Sequence, residues 1–447
     1  MNIKEIEIKK NISSYIDFNS YIGKEIELTG MIQNLRILSW GAFLILRLPN
    51  YIIQTVIDKN KIQYPLENLS VESTVKIKGI VQNATIKDNS INPRFCEILV
   101  TDLKLISSPS INPLPIDTTK KELNVSLDTK FDLRPLSLRH PKQRAIFKIS
   151  SIIFNEFGNF LTQQGFTRIC SPKIVFSGAE GGANIFNINY FEKKAFLAQS
   201  PQFYKQMMVG VFGRVFETAP VFRAEKHDSS RHLNEYISLD IEMALENGYE
   251  DLILVETLIL NHILEKIKTD CQNEIELLGI TLPEITKIYT VKFSDVKDII
   301  YKKYNKDYRE EKDLSPEEER LISDFFKKEY NTEFVFVTHY PTEKRPFYAM
   351  SNPENPEETL SFDLLFRGLE ITTGGQRLHK YEDYINKMTK LGMNIESFKS
   401  YLQAFQYGMP PHGGFGLGLE RITASICNLT NVKEASLFPR DINRLEP

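Results

Sequence analysis

The stretch GRVFETAPVFRAEKHDSSRHLNEYISLDIEM, residues Gly213 to Met243, reads as a strand, a polar loop and a second strand. Arg223 falls at the end of the first strand, where a guanidinium can grip a phosphate through two nitrogens. The loop that follows is polar and basic, which suits a polyanion. Taken alone, an arginine near a strand end is more often a surface ion pair, so the stretch needs a partner elsewhere in the chain.

A second segment, PPHGGFGLGLERI from Pro410 to Ile422, supplies one. Its glycines let the backbone approach a ligand closely before a helix opens at Glu420 and Arg421. The spacing is neither GxGxxG after a parallel strand nor GxxxxGK[ST], which disfavours a Rossmann or P-loop site. Around these segments, strand-like runs recur in AFLAQ, FVFVTHY and SFDLLFRGLEITTGG, mixed with helical runs such as LILVETLILNHILEKI. That mixture predicts an α+β domain on an antiparallel sheet flanked by helices. The segment RAIFKISSIIFNEFGNFLTQQGF carries apolar residues at helical spacing over about six turns, stopped by Gly165. From about 271 to 330 the chain is highly charged, and an inserted, solvated helical lobe is expected there.

Upstream, five short runs rich in β-branched residues (EIELTGMIQNL, FLILRL, YIIQTVI, TVKIKGIVQNA, CEILVTDLKLI) fit a small barrel of the OB type, a common binder of single strands. A barrel that only packs or dimerises has the same pattern. SSPSINPLPID, with three prolines, reads as a semi-rigid linker. The expected organisation is therefore a barrel over 1–106, a linker over 107–130 and a catalytic domain over 131–447.

Composition narrows the classes further. The chain has 447 residues, 42% hydrophobic and 25% charged, which is globular. Its 55 basic and 58 acidic residues leave a net charge of −3, so any nucleic-acid contact must come from a local patch. Cys96, Cys170, Cys271 and Cys427 lie far apart with no CxxC pair, against a zinc site and for reduced thiols in the cytoplasm. The charged start, MNIKEIEIKK, does not suit a signal peptide, and no run is long enough to span a membrane.

Together, FRAE, RHLNE and GLGLER in this order resemble motifs 2 and 3 of the class II aminoacyl-tRNA synthetases. AQSPQFYKQ, SFDLLFRGLEITTGGQR and LFPRD narrow the resemblance to aspartyl enzymes of the archaeal and eukaryotic kind. It runs from the barrel to the C-terminus. The bulky insertion of the usual bacterial aspartyl enzymes is missing, since less than about ninety residues separate Glu246 from Phe334. The resemblance implies an N-terminal OB-fold for the anticodon, a homodimer built on motif 1, ATP and Mg²⁺. It also implies L-aspartate and tRNA(Asp) as partners, with tRNA(Asn) open as a second acceptor.

Position by position, the resemblance puts Arg223 on the α-phosphate and Arg421 near the adenine and γ-phosphate, as the catalytic pair. Glu225 would bind the adenine amino group and Tyr236 stack on the ring, where the family often has Phe. Arg231 and His232 would contact phosphates, with Glu370 and Gly418 completing the ATP site. Asp363, Glu370 and Thr373, the last in place of a common Ser, would hold Mg²⁺. Asp363 and Glu370 are seven apart in sequence and cannot share one strand face without a bend. Lys205 and Arg377 would bind the substrate β-carboxylate, Gln199, Ser200 and Gln202 would line the pocket, and His412 would help to close it or sense its charge. Glu180, with Gly181 and Gly182, matches a loop that closes over bound amino acid. In the barrel, Phe43 and Gln54 would read the central anticodon base and Arg36 support the backbone. This region departs most from the family: FLILRLPNY replaces an acidic turn, Trp40 sits in an unusual loop, and Gln33 falls where strict and relaxed relatives differ. The competing readings are an asparagine–tRNA ligase and a non-catalytic RNA-binding or regulatory paralogue. Against the paralogue, Arg223, Arg421, Asp363 and Glu370 are all present.

Overall fold

A computed structural model describes residues 16–62, 64–111, 113–176 and 184–446. The expected closing loop at Glu180, Gly181 and Gly182 lies outside the described residues. The chain forms two compact units, Met1–Ala145 and Ile146–Pro447.

In the first unit, β1 (Glu25–Ile37), β2 (Gly41–Arg47), β3 (Ile52–Asp58), β4 (Thr74–Asn83) and β5 (Cys96–Ser107) close into a barrel in the order β1-β2-β3-β5-β4. Each strand holds one of the five apolar runs. Alternation makes this work: Ala42, Leu44 and Leu46 point inward with Ile53, Ile57, Val75 and Ile98, while Phe43 and Ile45 remain half-buried outside. Closure pairs β1 with β4, leaving no free sheet edge between them.

The unit does not stop at the prolines. α1 (Leu127–Asp132), α2 (Arg134–Ser137) and the start of α3 (Pro141–Gln163) belong to it, so the division falls at 145/146 rather than at 130/131. The reason is polar stitching. Thr118 O accepts from Gln33 Nε2 at 3.0 Å, Arg139 pairs with Glu72 at 2.9 Å, and Arg144 donates to Leu48 O at 3.1 Å.

The second unit continues α3, whose Ile146, Ile149, Ile153, Phe157 and Leu161 form one buried stripe. Then come β6 (Thr167–Arg168), β7 (Ile174–Val175), β8 (Asn187–Tyr190), β9 (Lys193–Leu197), α4 (Gln202–Phe212), β10 (Arg214–Phe222) and β11 (Glu235–Ala244). α5 (Glu250–Asp270), α6 (Gln272–Leu278), β12 (Tyr289–Lys292), α7 (Phe293–Tyr304), α8 (Pro316–Tyr330) and β13 (Phe334–Thr338) follow. The chain ends with β14 (Ser361–Phe366), β15 (Leu369–Gln376), α9 (Tyr381–Lys390), α10 (Lys399–Gln406), β16 (His412–Gly418) and α11 (Leu419–Ile426). Eight strands form one sheet, β12-β13-β14-β15-β16-β11-β10-β6, and β7-β9-β8 form a small second one. The large sheet is antiparallel from β13 to β10 and parallel only at its two rims.

That sheet is buried on both faces, and the faces differ chemically. Along β11, Leu239, Ile241 and Met243 enter the core with α3 and α5, whereas Ser238, Asp240 and Glu242 alternate to the opposite side. β16 repeats the division, with Phe415 and Leu417 in the core and glycines between them. A buried polar sheet face is costly unless its groups find partners, and the candidate site is built there.

The charged 271–330 segment holds α6, α7 and α8 together with strand β12, and it is not a solvated lobe. α7 and α8 cover the β12–β13 edge through Phe293, Val296, Ile300, Ile322 and Phe326. Glu318 and Glu319 are buried, Glu318 paired with Lys297 at 2.6 Å. Only one face of α8 carries its charge to water. Among the described residues no helix is long and apolar enough to cross a membrane.

Candidate active site

Arg223 follows the last residue of β10, and its backbone N–H donates to Asn234 O at 2.8 Å. The Asn234 amide returns two bonds, to Arg223 O at 2.6 Å and Glu225 O at 3.0 Å, and so closes the mouth of the polar loop. The Arg223 guanidinium lies 5.9 Å from the centre of the Tyr236 ring. Within the loop, His232 Nδ1 meets Ser229 Oγ at 2.6 Å and its Nε2 lies 3.7 Å from Glu225. Burial lowers the His232 pKa despite that carboxylate. Arg231 is held by Glu319 of α8, a partner that the sequence did not disclose.

The β14–β15 hairpin provides the bend that the spacing of Asp363 and Glu370 requires. Asp363 sits directly opposite Thr373 and Leu365 opposite Glu370, with Ile371 as an extra residue between the two registers. The bulge turns Glu370 to the face that Thr373 occupies, and Thr373 Oγ1 donates to Glu370 Oε1 at 3.0 Å. Arg421, in the first turn of α11, donates to Glu370 O at 2.8 Å and lies 3.3 Å from Oε1. Burial favours the protonated form of Glu370, yet Arg421 and Arg345 hold its carboxyl below the usual range. Asp363 is pushed up to about 6 by burial, against the opposing pull of Arg345. Arg345 bonds Asp363 Oδ2 at 2.8 Å and lies 3.9 Å from the Tyr340 ring centre.

These groups fit a magnesium ion carried by a nucleotide. Asp363 Oδ1 is buried without a hydrogen-bond partner, and with Glu370 and Thr373 it supplies hard oxygen donors of the kind Mg²⁺ takes. Among the described residues there is no cluster of three or more His, Cys, Asp or Glu side chains able to hold a metal alone. Phosphate oxygens would have to complete the shell of such an ion.

On the other side of the cavity, α4 inserts Lys205 against the sheet, only 2% exposed. Its ammonium meets Asp240 at 2.8 Å, Phe415 O at 3.2 Å and Glu242 at 3.5 Å. Arg377, just past β15, donates to Glu242 at 3.0 Å and to Gly414 O at 2.8 Å. Glu242 thus bridges the two cations. The glycines of β16 make room for this arrangement: a Cβ on Gly414 would come 2.1 Å from Ile241 O and 2.2 Å from Glu242 Oε2. The candidate residues Ser200, Gln202, Lys205, Arg223, Glu225, Arg231, His232, Tyr236, Glu370, Thr373, Arg377, Gly418 and Arg421 line one cavity of about 680 Å³, as does Gln199.

Two candidates are set back from its wall. Asp363 is 5% exposed and reaches the cavity through Arg345. His412 is fully buried, with Nδ1 2.9 Å from Pro410 O and Nε2 3.0 Å from the Gln206 amide nitrogen. Nε2 accepts from that amide, so Nδ1 carries the proton. Burial lowers its pKa as well. His412 is not on the cavity wall, and its Nε2 is taken by the buried Gln206 amide.

Residues 126–442 match the family model described as tRNA synthetases class II (D, K and N). The chain belongs to this family. The aspartate–tRNA(Asp/Asn) ligase of Thermus thermophilus is 42% identical over 96% of this chain and 99% of its own. The aspartate–tRNA(Asp) ligase of Pyrococcus furiosus is 39% identical over 95% and 97%. Among solved structures, the Pyrococcus horikoshii asparaginyl-tRNA synthetase complexed with asparaginyl-adenylate matches with a TM-score of 0.86 at 30% identity, covering 96% and 97%.

On the barrel of this synthetase, Arg36 and Phe43 are directly paired across β1 and β2. The Trp40 ring packs edge-on against Phe43 at 5.5 Å. Gln54, on the neighbouring strand, donates to Glu97 at 2.7 Å, and Gln82 donates to the same carboxylate at 2.8 Å. Gln33 is not on this face. It is the extra residue of a β1 bulge, buried, and its side-chain Oε1 accepts from Arg47 at 2.6 Å.

Sequence reasoning missed Asp240, Glu242, Gln206, Glu319 and Arg345. Asp240 and Glu242 had a signal in the polar alternation of YISLDIEM, since a half-polar strand in a two-sided core must pair its charges. Glu319, among the acids of PEEER, had none.

Proposed function

We propose that this synthetase activates L-aspartate with ATP and transfers it to the 3′ end of tRNA(Asp), and to tRNA(Asn) as a second acceptor. The observation that carries the choice of aspartate is the buried pair of cations, Lys205 and Arg377, at one end of the cavity. A substrate carboxylate can share them with Asp240 and Glu242. A neutral amide adds no ionic partner to cations that Asp240 and Glu242 already hold, whereas the β-carboxylate adds charge-assisted hydrogen bonds, and each step of about 1.4 kcal/mol in that difference is a factor of ten.

In the first step the aspartate α-carboxylate attacks the α-phosphorus of ATP, the bond to the β-phosphate oxygen breaks, and pyrophosphate leaves. No side chain has to act as a general base, because the nucleophile is already an anion. The protein positions and neutralises. Tyr236 stacks on adenine and Glu225 accepts from its amino group. Arg223 holds the α-phosphate, while Arg421, Arg231 and His232 hold the tail. Glu370, Asp363 and Thr373 would hold Mg²⁺, which supplies positive charge to the triphosphate when bound. In the second step a terminal ribose hydroxyl of the tRNA attacks the activated carbonyl and passes its proton to a phosphate oxygen of the adenylate, and the bond from the carbonyl carbon to that phosphate breaks as AMP leaves. Arg36, Phe43 and Gln54 form the anticodon contact. The setting is the cytoplasm, where free thiols such as Cys96, Cys271 and Cys427 stay reduced. The working form is a homodimer, which sedimentation can test.

The test is ATP–pyrophosphate exchange with each amino acid. Aspartate should support it far better than asparagine. Exchange dependent on asparagine would favour the second reading, suggested by the likeness to the asparaginyl enzyme; no exchange with any amino acid would favour a non-catalytic paralogue. Charging purified tRNA(Asp) and tRNA(Asn) with labelled aspartate decides the acceptors. The similarity to relatives named for both tRNAs supports the relaxed pattern, and charging of tRNA(Asp) alone would remove it.

A further inference from the structure

The N-terminus of α8 is unusually well fixed. Ser315 and Glu318 form a reciprocal cap, Glu318 Oε2 accepting from Ser315 N at 2.9 Å, and buried Lys297 pins Glu318 at 2.6 Å. The next residue, Glu319, is 7% exposed and reaches back to the candidate ATP site. Its Oε2 accepts from Glu370 N at 2.9 Å and also binds Arg231 Nη2. One carboxylate oxygen therefore joins α8, the start of β15 and the polar loop after β10.

A guanidinium held at one nitrogen by a buried carboxylate has fewer orientations left for its other nitrogens. Arg231 Nη1 is buried and has no hydrogen-bond partner, while its side chain lines the 680 Å³ cavity. Arg231 also borders a second cavity of about 330 Å³, where Arg320 and Arg367 are on the wall and no carboxylate is. Without an anchor, nothing on its own loop would keep the guanidinium facing the first cavity.

The geometry points to Glu319 as a positioning residue for ATP: it holds Arg231 with one nitrogen ready for a phosphate oxygen, and fixes the backbone of Glu370 in the same contact. This rests on the reading of Arg231 as a phosphate ligand. Glu319 touches no substrate itself. Its carboxylate does for Arg231 what a preorganised support does for any binding group, removing the need to orient the side chain when the ligand arrives.

Glu319→Gln, Arg231→Ala and the double variant, assayed by ATP–pyrophosphate exchange with thermal melting as a folding control, test this. Glu319→Gln preserves shape and should raise KM for ATP about tenfold or more, the weight of a charge-assisted hydrogen bond, with KM for aspartate unchanged. The double variant should be no worse than Arg231→Ala alone. Equal rises in both KM values, or a double variant showing the product of both losses, would overturn the inference. If Arg231→Ala impairs ATP while Glu319→Gln is silent, the inference alone falls. If Arg231→Ala is itself silent, the phosphate role of Arg231 falls with it.

Discussion

Replacing Lys205 by Met keeps the length of the side chain and removes its charge from a position only 2% exposed. The lysine meets Asp240 at 2.8 Å and Glu242 at 3.5 Å, while Arg377 holds Glu242 at 3.0 Å from the other side. Two cations thus face two carboxylates, and the substrate β-carboxylate adds a third negative charge. Without Lys205, one guanidinium must serve all three. Truncating one member of a buried, hydrogen-bonded charge pair costs about 2–5 kcal/mol, or roughly 30-fold to 4,000-fold in kcat/KM for aspartate. Asparagine brings no third charge, so its much weaker activation should suffer less, shifting the aspartate-to-asparagine ratio at least about tenfold toward asparagine. Pyrophosphate exchange at saturating ATP, with each amino acid varied in turn, measures both. KM for ATP should not move, because Lys205 bonds neither Arg223 nor Arg421. The variant will also melt earlier, since Asp240 loses its closest cation, so assays belong well below its transition. Aspartate activation within threefold of the parent, or equal losses for both amino acids, would refute the argument.

Three further outcomes follow from other parts of the molecule. Burial pushes Glu256 of α5 up to about 8, helped by the neighbouring Asp363 and opposed by Thr372. A carboxyl raised in the folded state contributes stability below its unfolded pKa, near 4.5, and loses it as pH rises through about 8. Glu256→Gln should therefore melt well above the parent at pH 8.5 and close to it at pH 5; a gap independent of pH would contradict this. Gly414→Ala places a Cβ 2.1 Å from the Ile241 carbonyl, which cannot yield without moving β11, and should cost about 1–3 kcal/mol of stability together with aspartate exchange. Normal exchange in that variant would show that β11 and β16 have more slack than their register allows. Phe43→Ala should raise KM for tRNA roughly 5-fold to 150-fold, the value of one stacked base, and leave pyrophosphate exchange unchanged; equal charging kinetics would remove Phe43 from the interface.

How much was legible in the sequence depended on how local the signal was. The barrel strands were visible because alternation inside a closed sheet is strict, and a residue such as Leu44 has only one place to go. The ends of the proposed ATP site, Arg223 and Arg421, were visible because each lies beside a motif that sets its own backbone. The setting of Gln33 was not legible for the opposite reason: a bulge in β1 turns it into a polar network with Arg47 and Thr118 that spacing does not reveal. The bulge at Ile371 hid why Asp363 and Glu370 can cooperate, since seven residues of sequence become neighbouring strands across a hairpin. Charge in the 271–330 segment suggested solvent, but α8 is amphipathic, and its buried side includes Glu318 and Glu319 because each has a cation waiting for it. Partners distant in sequence decide the fate of a buried charge, and one strand's pattern does not name them.

The prior pairing of Lys205 and Arg377 bears on how the pocket can be selective. Had the cations faced an empty apolar cavity, each would carry its full desolvation cost in the unliganded protein. Asp240 and Glu242 relieve that cost in advance, and the backbone carbonyls of Phe415 and Gly414 add to it. An incoming aspartate then gains less than it would from bare cations, because it shares them. Selectivity does not shrink in proportion, since asparagine must turn a polar amide toward the same donors and receives no compensating charge. Such a pocket trades affinity for discrimination, and it places the discrimination on β11 and β16, two paired strands in the interior of the sheet. A substitution that loosens their register, even without touching a charge, should therefore cost selectivity between aspartate and asparagine before it costs ATP binding.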